Sequence, residues 1–357
     1  MVKITESYYP KRLEKIRNLL GKYEFDCLLI YGAPDDDPAF LPWILGDEVF
    51  DSTYLLITKN LVRIFVPQWF TSEARNLFKK IPAEVFGTPE KAVMVPFILP
   101  QLKDFKSIGY AGDAPYKELV LLENKSLINV ERYLRSIYEI KDETELQILS
   151  EINSFTRQYL ESLNLSQFVD KTEKEIAKWI MSDMEKTGYK IGHLCIVSGG
   201  RLKETTAGFP TDYVLKKDDL VCIDLGLSMQ TYYSDITRCY FLGEAKEKYE
   251  KFYNLLKSSV LNVSGRLSEG AKSKEIPDIL KEEFALAGLP KDSLVLADLG
   301  HGIGTGKHEY PEIGFDESAL EKGMVFTLEP EAKLQDGTLV RYEDVFYISA
   351  KGKVLTI

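Results

Sequence analysis

The chain has 357 residues, with 55 acidic against 45 basic side chains and a formal net charge of −10. At about 150 residues per domain, this length predicts two domains. The composition, 45% hydrophobic and 28% charged, is typical of a folded globular protein. The acidic excess argues against a general phosphate-binding surface such as nucleic acid needs, since that requires clustered lysine and arginine. Only three histidines are present, so a site that needs imidazole must use His193, His301 or His308.

The sequence carries no signal for export or membrane insertion. Residues 1–10 lack the apolar core of a signal peptide, and no stretch approaches the about 20 apolar residues of a membrane span. The four cysteines stand singly and without C-x-x-C spacing, which argues against a zinc–cysteine site and a disulfide framework. We therefore expect a cytoplasmic protein with reduced thiols and no membrane partner.

The first 140 residues mix helical and strand patterns. The predicted elements are a helix that starts at Pro10 and is closed by Gly21, a buried strand over 27–31, a hairpin of strands 51–58 and 61–67, and a helix over 71–81. An acidic cluster at 35–37 lies in a proline-flanked loop, where we expect a solvated turn rather than a metal site. This half carries no chemical signature.

From Lys141 onward the pattern changes to long helices separated by strand hairpins. Four helices are predicted. The first covers 142–163, the second begins at a capping box formed by Thr172 and Glu175 and stops at Gly188, and the other two cover 247–261 and 278–287. The shift predicts a domain boundary near residue 140, with domains over 1–140 and 141–357. Both domains are expected to mix α and β structure.

Two carboxylates are expected to face each other on a first hairpin. Two β-rich runs within 220–241 flank a turn near Met229–Gln230. With a two-residue loop there, Asp224 lies directly opposite Asp235, with Cβ atoms about 5 Å apart. Two unpaired carboxylates that close would repel each other, so we expect a cation between them.

A second hairpin repeats this arrangement. A three-residue loop over 335–337 places Gly337 at the position that needs a left-handed backbone. This register sets Glu329 opposite Glu343 on one face. Exposed strand positions often carry charge, but Asp224 and Glu329 follow apolar runs, and a buried carboxylate without a partner is costly. Two such carboxylate pairs predict a functional site.

A glycine-rich stretch over 300–311 supplies His301 and His308. It does not fit a dinucleotide-binding loop, because its spacing is Gly-x-Gly-x-Gly-x-Gly and no helix pattern follows. Two carboxylate pairs and one imidazole suit two divalent ions such as Mn²⁺, Co²⁺ or Zn²⁺. A pair of ions about 3.5–4 Å apart activates water for hydrolysis.

Five motifs in this order resemble the dinuclear metallopeptidases of the pita-bread fold, peptidase family M24, which includes prolidase, aminopeptidase P and methionine aminopeptidase. They are Ile-Asp224-Leu-Gly, Ser-Asp235-Ile-Thr-Arg, Gly-His301-Gly-Ile-Gly, Thr-Leu-Glu329-Pro and Arg-Tyr-Glu343-Asp. The resemblance covers residue 141 to the end and implies an α/β (α+β) pita-bread catalytic domain. The upstream segment resembles the smaller α/β N-terminal domain of prolidase and aminopeptidase P, and the length is closer to prolidase.

The resemblance also implies residue roles and cofactors. The metal ligands would be Asp224, Asp235, His301, Glu329 and Glu343, with Asp235 and Glu343 bridging two ions per chain. Manganese or cobalt is expected, with zinc and iron as alternatives. Glu329 would also carry the proton from water to the leaving amine, and His308 would donate to the substrate or the developing oxyanion. Tyr232 and Arg341 would orient ligands or substrate. A homodimer is expected.

The chain departs from the family pattern at two places. The family carries Pro-His shortly before the strand of the first aspartate, where the histidine faces the substrate, but this chain has Thr206 or Ala207 there. His193 lies too far upstream to align with that histidine, although folding could bring it close. Glu331 follows Pro330 where the family has glycine. Substrate handling is therefore expected to differ more than metal binding.

The leading functional prediction is a metallopeptidase of the prolidase type that hydrolyses Xaa-Pro bonds with a metal-activated water, acting on a small peptide that contains proline. An aminopeptidase P-like enzyme, and a hydrolase of non-peptide C–N substrates on the same scaffold, are the alternatives that the missing Pro-His leaves open. A non-enzymatic binding protein would not be expected to keep all five ligands.

Overall fold

The N-terminal unit is built around one mixed sheet. The computed structural model describes residues 8–34, 39–49, 51–89 and 93–357. The described chain divides into two compact units on either side of the Tyr138–Glu139 bond. In the first unit the strands are β1 Cys27–Gly32, β2 Thr53–Ile57, β3 Val62–Pro67, β4 Glu84–Thr88, β5 Ser107–Ala111 and β6 Ser126–Asn129. They pair in the order β4-β3-β2-β1-β5-β6.

Helices cover this sheet, and apolar side chains fill both of its faces. The helices are α1 Tyr8–Tyr23, α2 Phe40–Leu45, α3 Thr71–Leu77, α4 Val95–Leu102, α5 Tyr116–Leu119 and α6 Glu131–Tyr138. Successive residues of β1, such as Leu28 and Leu29, belong to two different apolar clusters, as expected for a central strand buried on both sides. The predicted strand and hairpin are confirmed, but Gly21 lies inside α1 and does not end it. The predicted turn at 35–37 lies outside the described residues.

The C-terminal unit contains four α-helices, among the described residues, at the positions that the sequence predicts. They are α7 Glu143–Ser162, α8 Glu173–Met184, α9 Gly243–Arg266 and α10 Ile276–Leu286. The capping box at Thr172 and Glu175 is present, and Asp142 with Glu145 forms a second one at the start of α7. Within the described residues, no helix combines the length and apolar character that crossing a membrane would require.

Three sheets complete this unit. Their strands are β7 Lys190–Ser198, β8 Leu220–Met229, β9 Tyr232–Tyr233, β10 Ile236–Phe241, β11 Leu294–Val295, β12 His301–Gly302, β13 Glu309–Glu312, β14 Val325–Leu328, β15 Glu331–Lys333, β16 Leu339–Arg341, β17 Asp344–Ile348 and β18 Val354–Thr356. The sheets have the orders β10-β8-β7 with β9 beside β8, β11-β15-β16, and β13-β12-β14-β17-β18. One apolar cluster joins side chains from all three sheets and from α9 and α10.

Candidate metal centre

The five side chains predicted to bind metal lie together in the C-terminal unit, and all five are buried. Their potential ligand atoms form two groups that share Asp235. One group contains Asp224 and Asp235 with His193, and the other contains Asp235, His301 and Glu343, with ligand atoms inside each group no more than 4.8 Å apart. Glu329 joins the second group, because its Oε1 lies 3.3 Å from His301 Nε2.

The first hairpin brings its two aspartates together by a register that differs from the prediction. The turn residues are Gln230 and Thr231, one position later than expected, and both have positive φ, 51° and 71°. Asp224 therefore pairs with Thr237, and not with Asp235. Such a turn usually contains Asn or Gly, so nothing in the sequence marked it. The shift is two residues, so both aspartates still point to the same face of the sheet.

The second hairpin has the predicted register. Leu328 pairs with Asp344 and Glu331 pairs with Arg341, so continuation of both ladders sets Glu329 opposite Glu343. Gly337 has a φ of +88°, and its N–H donates to the carbonyl of Leu334. The predicted three-residue loop, with Gly337 in the left-handed backbone conformation, is confirmed.

The orientation of His301 is set by its neighbours. Its Nδ1 lies 3.0 Å from the carbonyl oxygen of Gly302, and its backbone N–H donates to Thr327 Oγ1. A carbonyl can only accept a hydrogen bond, so Nδ1 carries a proton and Nε2 is the ring nitrogen available to bind a metal. Nε2 lies 3.8 Å from Asp235 Oδ2. The tautomer is therefore the one that suits a metal ligand.

Arg341 is a cation that lies among these carboxylates. Its Nη2 donates to Asp224 Oδ2, and its Nη1 donates to Glu329 Oε2 at 3.1 Å. Burial disfavours its charge, but Asp224 and Glu329 outweigh burial and raise the pKa of Arg341 further. The structure thus brings Arg341 to the site, where it ties the two hairpins together.

One arginine does not balance four buried carboxylates. Burial raises the pKa of Glu329 to about 7. Burial also raises the pKa of Glu343 well above its usual range, and the negative charges of Asp235 and Glu329 raise it further. Burial also disfavours ionised Asp224, but Arg341 and His193 outweigh it and hold the pKa of Asp224 below its usual range. With all four carboxylates ionised, the cluster would carry more negative charge than Arg341 and a protonated His193 neutralise.

A divalent ion fits this donor set. Glu343 Oε2 accepts a hydrogen bond of 2.6 Å from Thr237 Oγ1, whereas Glu343 Oε1 is buried and has no hydrogen-bond partner within the described chain. A buried carboxylate oxygen without a partner is costly, and a cation next to the other three carboxylates would satisfy it. Carboxylate oxygen with imidazole nitrogen is a donor set that borderline divalent ions accept.

The other predicted site residues lie at different places. The ring of His308 lies beside that of His301, with centroids 4.5 Å apart, so it borders the cluster, and it is exposed. Tyr232 is buried, and its hydroxyl donates to Glu145 Oε1 on α7 at 2.9 Å. Tyr232 therefore connects the β8–β9 hairpin to α7.

Three further residues lie at or next to the site. The sequence left open whether folding brings His193 close, and it gave no role to Lys141 or Glu309. In the structure His193 reaches both aspartates of the first hairpin. Burial opposes the charged imidazolium, but Asp235 and Asp224 outweigh it and raise the pKa of His193. Lys141 and Glu309 form a buried ion pair, and Glu309 also accepts from the N–H of Gly306. That pair holds the loop that carries His308.

The two departures from the family pattern contact each other. Thr206 is fully buried, and its hydroxyl donates to Glu331 Oε1. Ala207, the other residue that could occupy the histidine position, is exposed. A hydroxyl–carboxylate pair therefore occupies the region where the resemblance predicts an imidazole and a glycine.

Asp344 fixes the strand that follows Glu343. Its carboxylate accepts from Arg157 Nη2 at 2.6 Å and from Arg238 Nη2 at 2.9 Å, and it is buried. We expect Asp344→Asn to lower the free energy of unfolding by about 3–5 kcal/mol, because the buried guanidinium of Arg238 and the partly buried one of Arg157 both lose their nearest carboxylate. Urea unfolding of the metal-free protein measures this loss without a contribution from bound ions.

Asp212→Asn is the matched control, because Asp212 forms an exposed ion pair with Lys174 at 2.8 Å. Its expected effect is within about 0.5 kcal/mol. Equal stabilities of the two variants would contradict the structural role of Asp344.

Comparison with known proteins identifies the family. The model for metallopeptidase family M24 matches residues 143–350, which contain all five predicted ligands. The chain belongs to metallopeptidase family M24. The Xaa-Pro dipeptidases of Pyrococcus horikoshii and Pyrococcus furiosus are 27% and 25% identical to this M24 chain over 348 and 352 residues, with 96% of the chain covered in both cases. The matches cover 95% and 96% of those relatives.

Solved structures of the family agree with the fold. The prolidase from Pyrococcus horikoshii OT3 superposes with a TM-score of 0.80 at 27% identity, and the match covers 97% of each chain. The X-Pro aminopeptidase from Thermotoga maritima MSB8 has a TM-score of 0.84 at 22% identity, again over 97% of each chain, and shows the shared fold. The predictions of the pita-bread fold and of a metallopeptidase are confirmed. Membership of this family implies divalent metal ions as cofactors.

Proposed function

We propose that this M24 member is an exopeptidase that hydrolyses Xaa-Pro bonds and uses two divalent ions per chain. The observation that carries the proposal is the shared position of Asp235, which belongs to two adjacent groups of potential ligands. A carboxylate shared by two groups is what a pair of neighbouring ions requires. The Pyrococcus relatives, named Xaa-Pro dipeptidases, support this substrate class.

The proposed ligands are the five residues that the motifs singled out, with Asp235 and Glu343 bridging. Two such ions supply Lewis-acid activation of water and of the scissile carbonyl at neutral pH. The orphaned Oε1 of Glu343 and the orientation of His301, whose Nδ1 bonds the carbonyl of Gly302, support these assignments. We propose manganese or cobalt as the metal, because the carboxylate-rich set suits these ions, with zinc and iron as alternatives.

Glu329 is proposed to move a proton as well as to bind metal. Thr327 Oγ1 donates to its Oε1 at 3.0 Å and Arg341 donates to its Oε2, so both oxygens are held in place. A carboxylate fixed in this way can take a proton from water and give it to the leaving amine. Arg341 keeps the carboxylate aligned.

His308 is proposed to donate a hydrogen bond to the substrate or to the developing oxyanion. Its exposed ring next to His301 supports this role. Tyr232 is proposed to position the Asp224–Asp235 hairpin through its bond to Glu145, rather than to contact substrate.

The remaining proposals concern organisation. We propose that residues 1–140 form the N-terminal domain and 141–357 the catalytic domain, that the protein is a homodimer, and that it acts in the cytoplasm on a small proline-containing peptide. The single cysteines in apolar runs support the compartment.

A dipeptide and a longer peptide with the same Xaa-Pro bond test the substrate class. With Mn²⁺ or Co²⁺ bound, we expect hydrolysis of at least one of them and none of a matched Xaa-Ala dipeptide. Cleavage of the dipeptide alone indicates a dipeptidase, whereas cleavage of the longer peptide indicates an aminopeptidase. Absence of turnover on either peptide, with two ions shown to be bound, would contradict the proposal.

The contact between Thr206 and Glu331 favours altered substrate handling, which is the reason to retain the non-peptide C–N hydrolase as a second candidate. We expect the double variant Thr206→His with Glu331→Gly to raise kcat/KM for the Xaa-Pro substrate about tenfold, because an imidazole hydrogen bond to a charged group is worth about 1.5–3 kcal/mol. Glu331→Gly removes the partner that holds position 206.

Steady-state kinetics of the double variant, of Ala207→His and of Glu331→Gly alone separate the added imidazole from the lost carboxylate. A decrease in Xaa-Pro hydrolysis in both histidine variants, with metal content unchanged, would favour the non-peptide substrates, which a screen of other C–N compounds would then identify.

A further inference from the structure

His193 lies between the two aspartates of the first hairpin. Its Nε2 is 2.8 Å from Asp224 Oδ1 and 3.1 Å from Asp235 Oδ1. Two ligand atoms that are each about 2.1 Å from one ion, and at right angles, lie about 3.0 Å apart. The three side chains therefore already have the spacing of ligands around one ion.

A β-bulge directs the side chain of His193 toward the two aspartates. The register between β7 and β8 shifts between Ile191 and His193, so that Gly192 is an extra residue on β7. Bulges of this kind redirect a side chain. Beyond the bulge, His193 pairs with Gly226 and Cys195 pairs with Asp224. His193 thus lies on the same face of the sheet as the first aspartate.

Gly226 makes room for the imidazole. A Cβ built at Gly226 would lie 2.2 Å from His193 Cε1 and 2.3 Å from Nδ1, so the ring lies directly over this glycine. Ile236 pairs with Leu225 on the opposite side of β8, and continuation of that register sets Asp235 across from Gly226. The ring can therefore cross the central strand and reach Asp235 on its far side.

We propose that His193 is an additional metal ligand, on the ion that Asp224 and Asp235 hold. This inference rests on the proposed dinuclear site. The five motif residues alone give imidazole only to the ion next to His301. With His193, each ion receives one imidazole nitrogen. Imidazole favours borderline ions over hard ones, so this position should prefer Co²⁺ or Zn²⁺ to Mg²⁺.

Titration of metal-free protein with Co²⁺ tests the affinity. We expect His193→Ala to weaken one of two binding events by about 100-fold or more, because loss of even an outer partner of a ligand costs 10–100-fold. The other event should change far less, within about threefold of wild type, because His193 is not in the group that contains His301 and Glu343. Mg²⁺ affinity should change far less. His193→Gln keeps an N–H donor for the aspartates and serves as a second variant that preserves the fold.

Pulsed EPR with one equivalent of Cu²⁺ tests the bond itself, since the remote nitrogen of a coordinated imidazole modulates the echo. We expect the modulation to persist in the single variant His301→Ala and in the double variant His301→Ala/His308→Ala. It should disappear in the double variant His301→Ala/His193→Ala. Loss of the modulation in His301→Ala with His308→Ala, or unchanged Co²⁺ affinities in His193→Ala and His193→Gln, would overturn the role of His193. Wild-type protein that binds fewer than two ions would instead overturn the dinuclear site.

Discussion

Replacement of Glu329 by alanine is expected to lower kcat/KM for an Xaa-Pro substrate by about 10⁴-fold or more, because metal activation and proton transfer are lost together. Glu329 is buried and is held by Thr327 and Arg341. Alanine removes a ligand and also leaves Arg341 with one fewer carboxylate. Glu329→Gln keeps the size of the side chain and should lose nearly as much activity, since an amide cannot carry the proton.

Initial rates at saturating Mn²⁺, together with the metal content of each variant, measure this effect. Glu321→Gln is the matched control, because Glu321 is exposed and lies in the turn before β14, and it should retain wild-type activity. Activity of Glu329→Gln within about tenfold of wild type, which is less than general acid–base catalysis supplies, would exclude Glu329 as the group that moves the proton.

Asp235→Asn is expected to remove both ions, whereas His301→Ala should remove only one. Asp235 is shared by the two groups of potential ligands, and His301 belongs to one of them. An amide is a weaker ligand than a carboxylate, and its neutral charge no longer balances two dications. The change from Asp to Asn preserves shape, so the loss reports on charge and coordination.

Elemental analysis after dialysis against micromolar Mn²⁺ gives the number of ions per chain. Asp344→Asn is a useful comparison, because Asp344 is also buried but binds Arg157 and Arg238. It should keep both ions if the protein is folded. One tightly bound ion in Asp235→Asn would show that the two positions do not depend on this carboxylate, and the shared-ligand arrangement would then be wrong.

The parts of the site that the sequence predicts are those that local patterning determines. Gly337 has the left-handed backbone that the three-residue loop requires, and the register that follows sets Glu329 opposite Glu343. Apolar runs before Asp224 and Glu329 correctly indicated burial. The fold class followed from motif order, since those residues are tied to one architecture.

The parts that sequence reasoning missed depend on backbone irregularities and on contacts between distant segments. Gln230 and Thr231 adopt positive φ without a turn signature, so the first register was misplaced by two residues. The bulge at Gly192 has no distinctive pattern either, yet it determines where His193 points. The contact between Thr206 and Glu331, 125 positions apart, arises only in the folded chain.

Hydrolysis as a function of metal occupancy is the most direct test of the central claim. Metal-free protein should be titrated with Mn²⁺ while cleavage of an Xaa-Pro substrate and the amount of bound metal are followed in the same sample. The proposed site predicts no hydrolysis without metal and a rate that reaches its maximum as about two ions per chain become bound. A protein that binds two ions and still leaves dipeptide and longer Xaa-Pro substrates intact would contradict it.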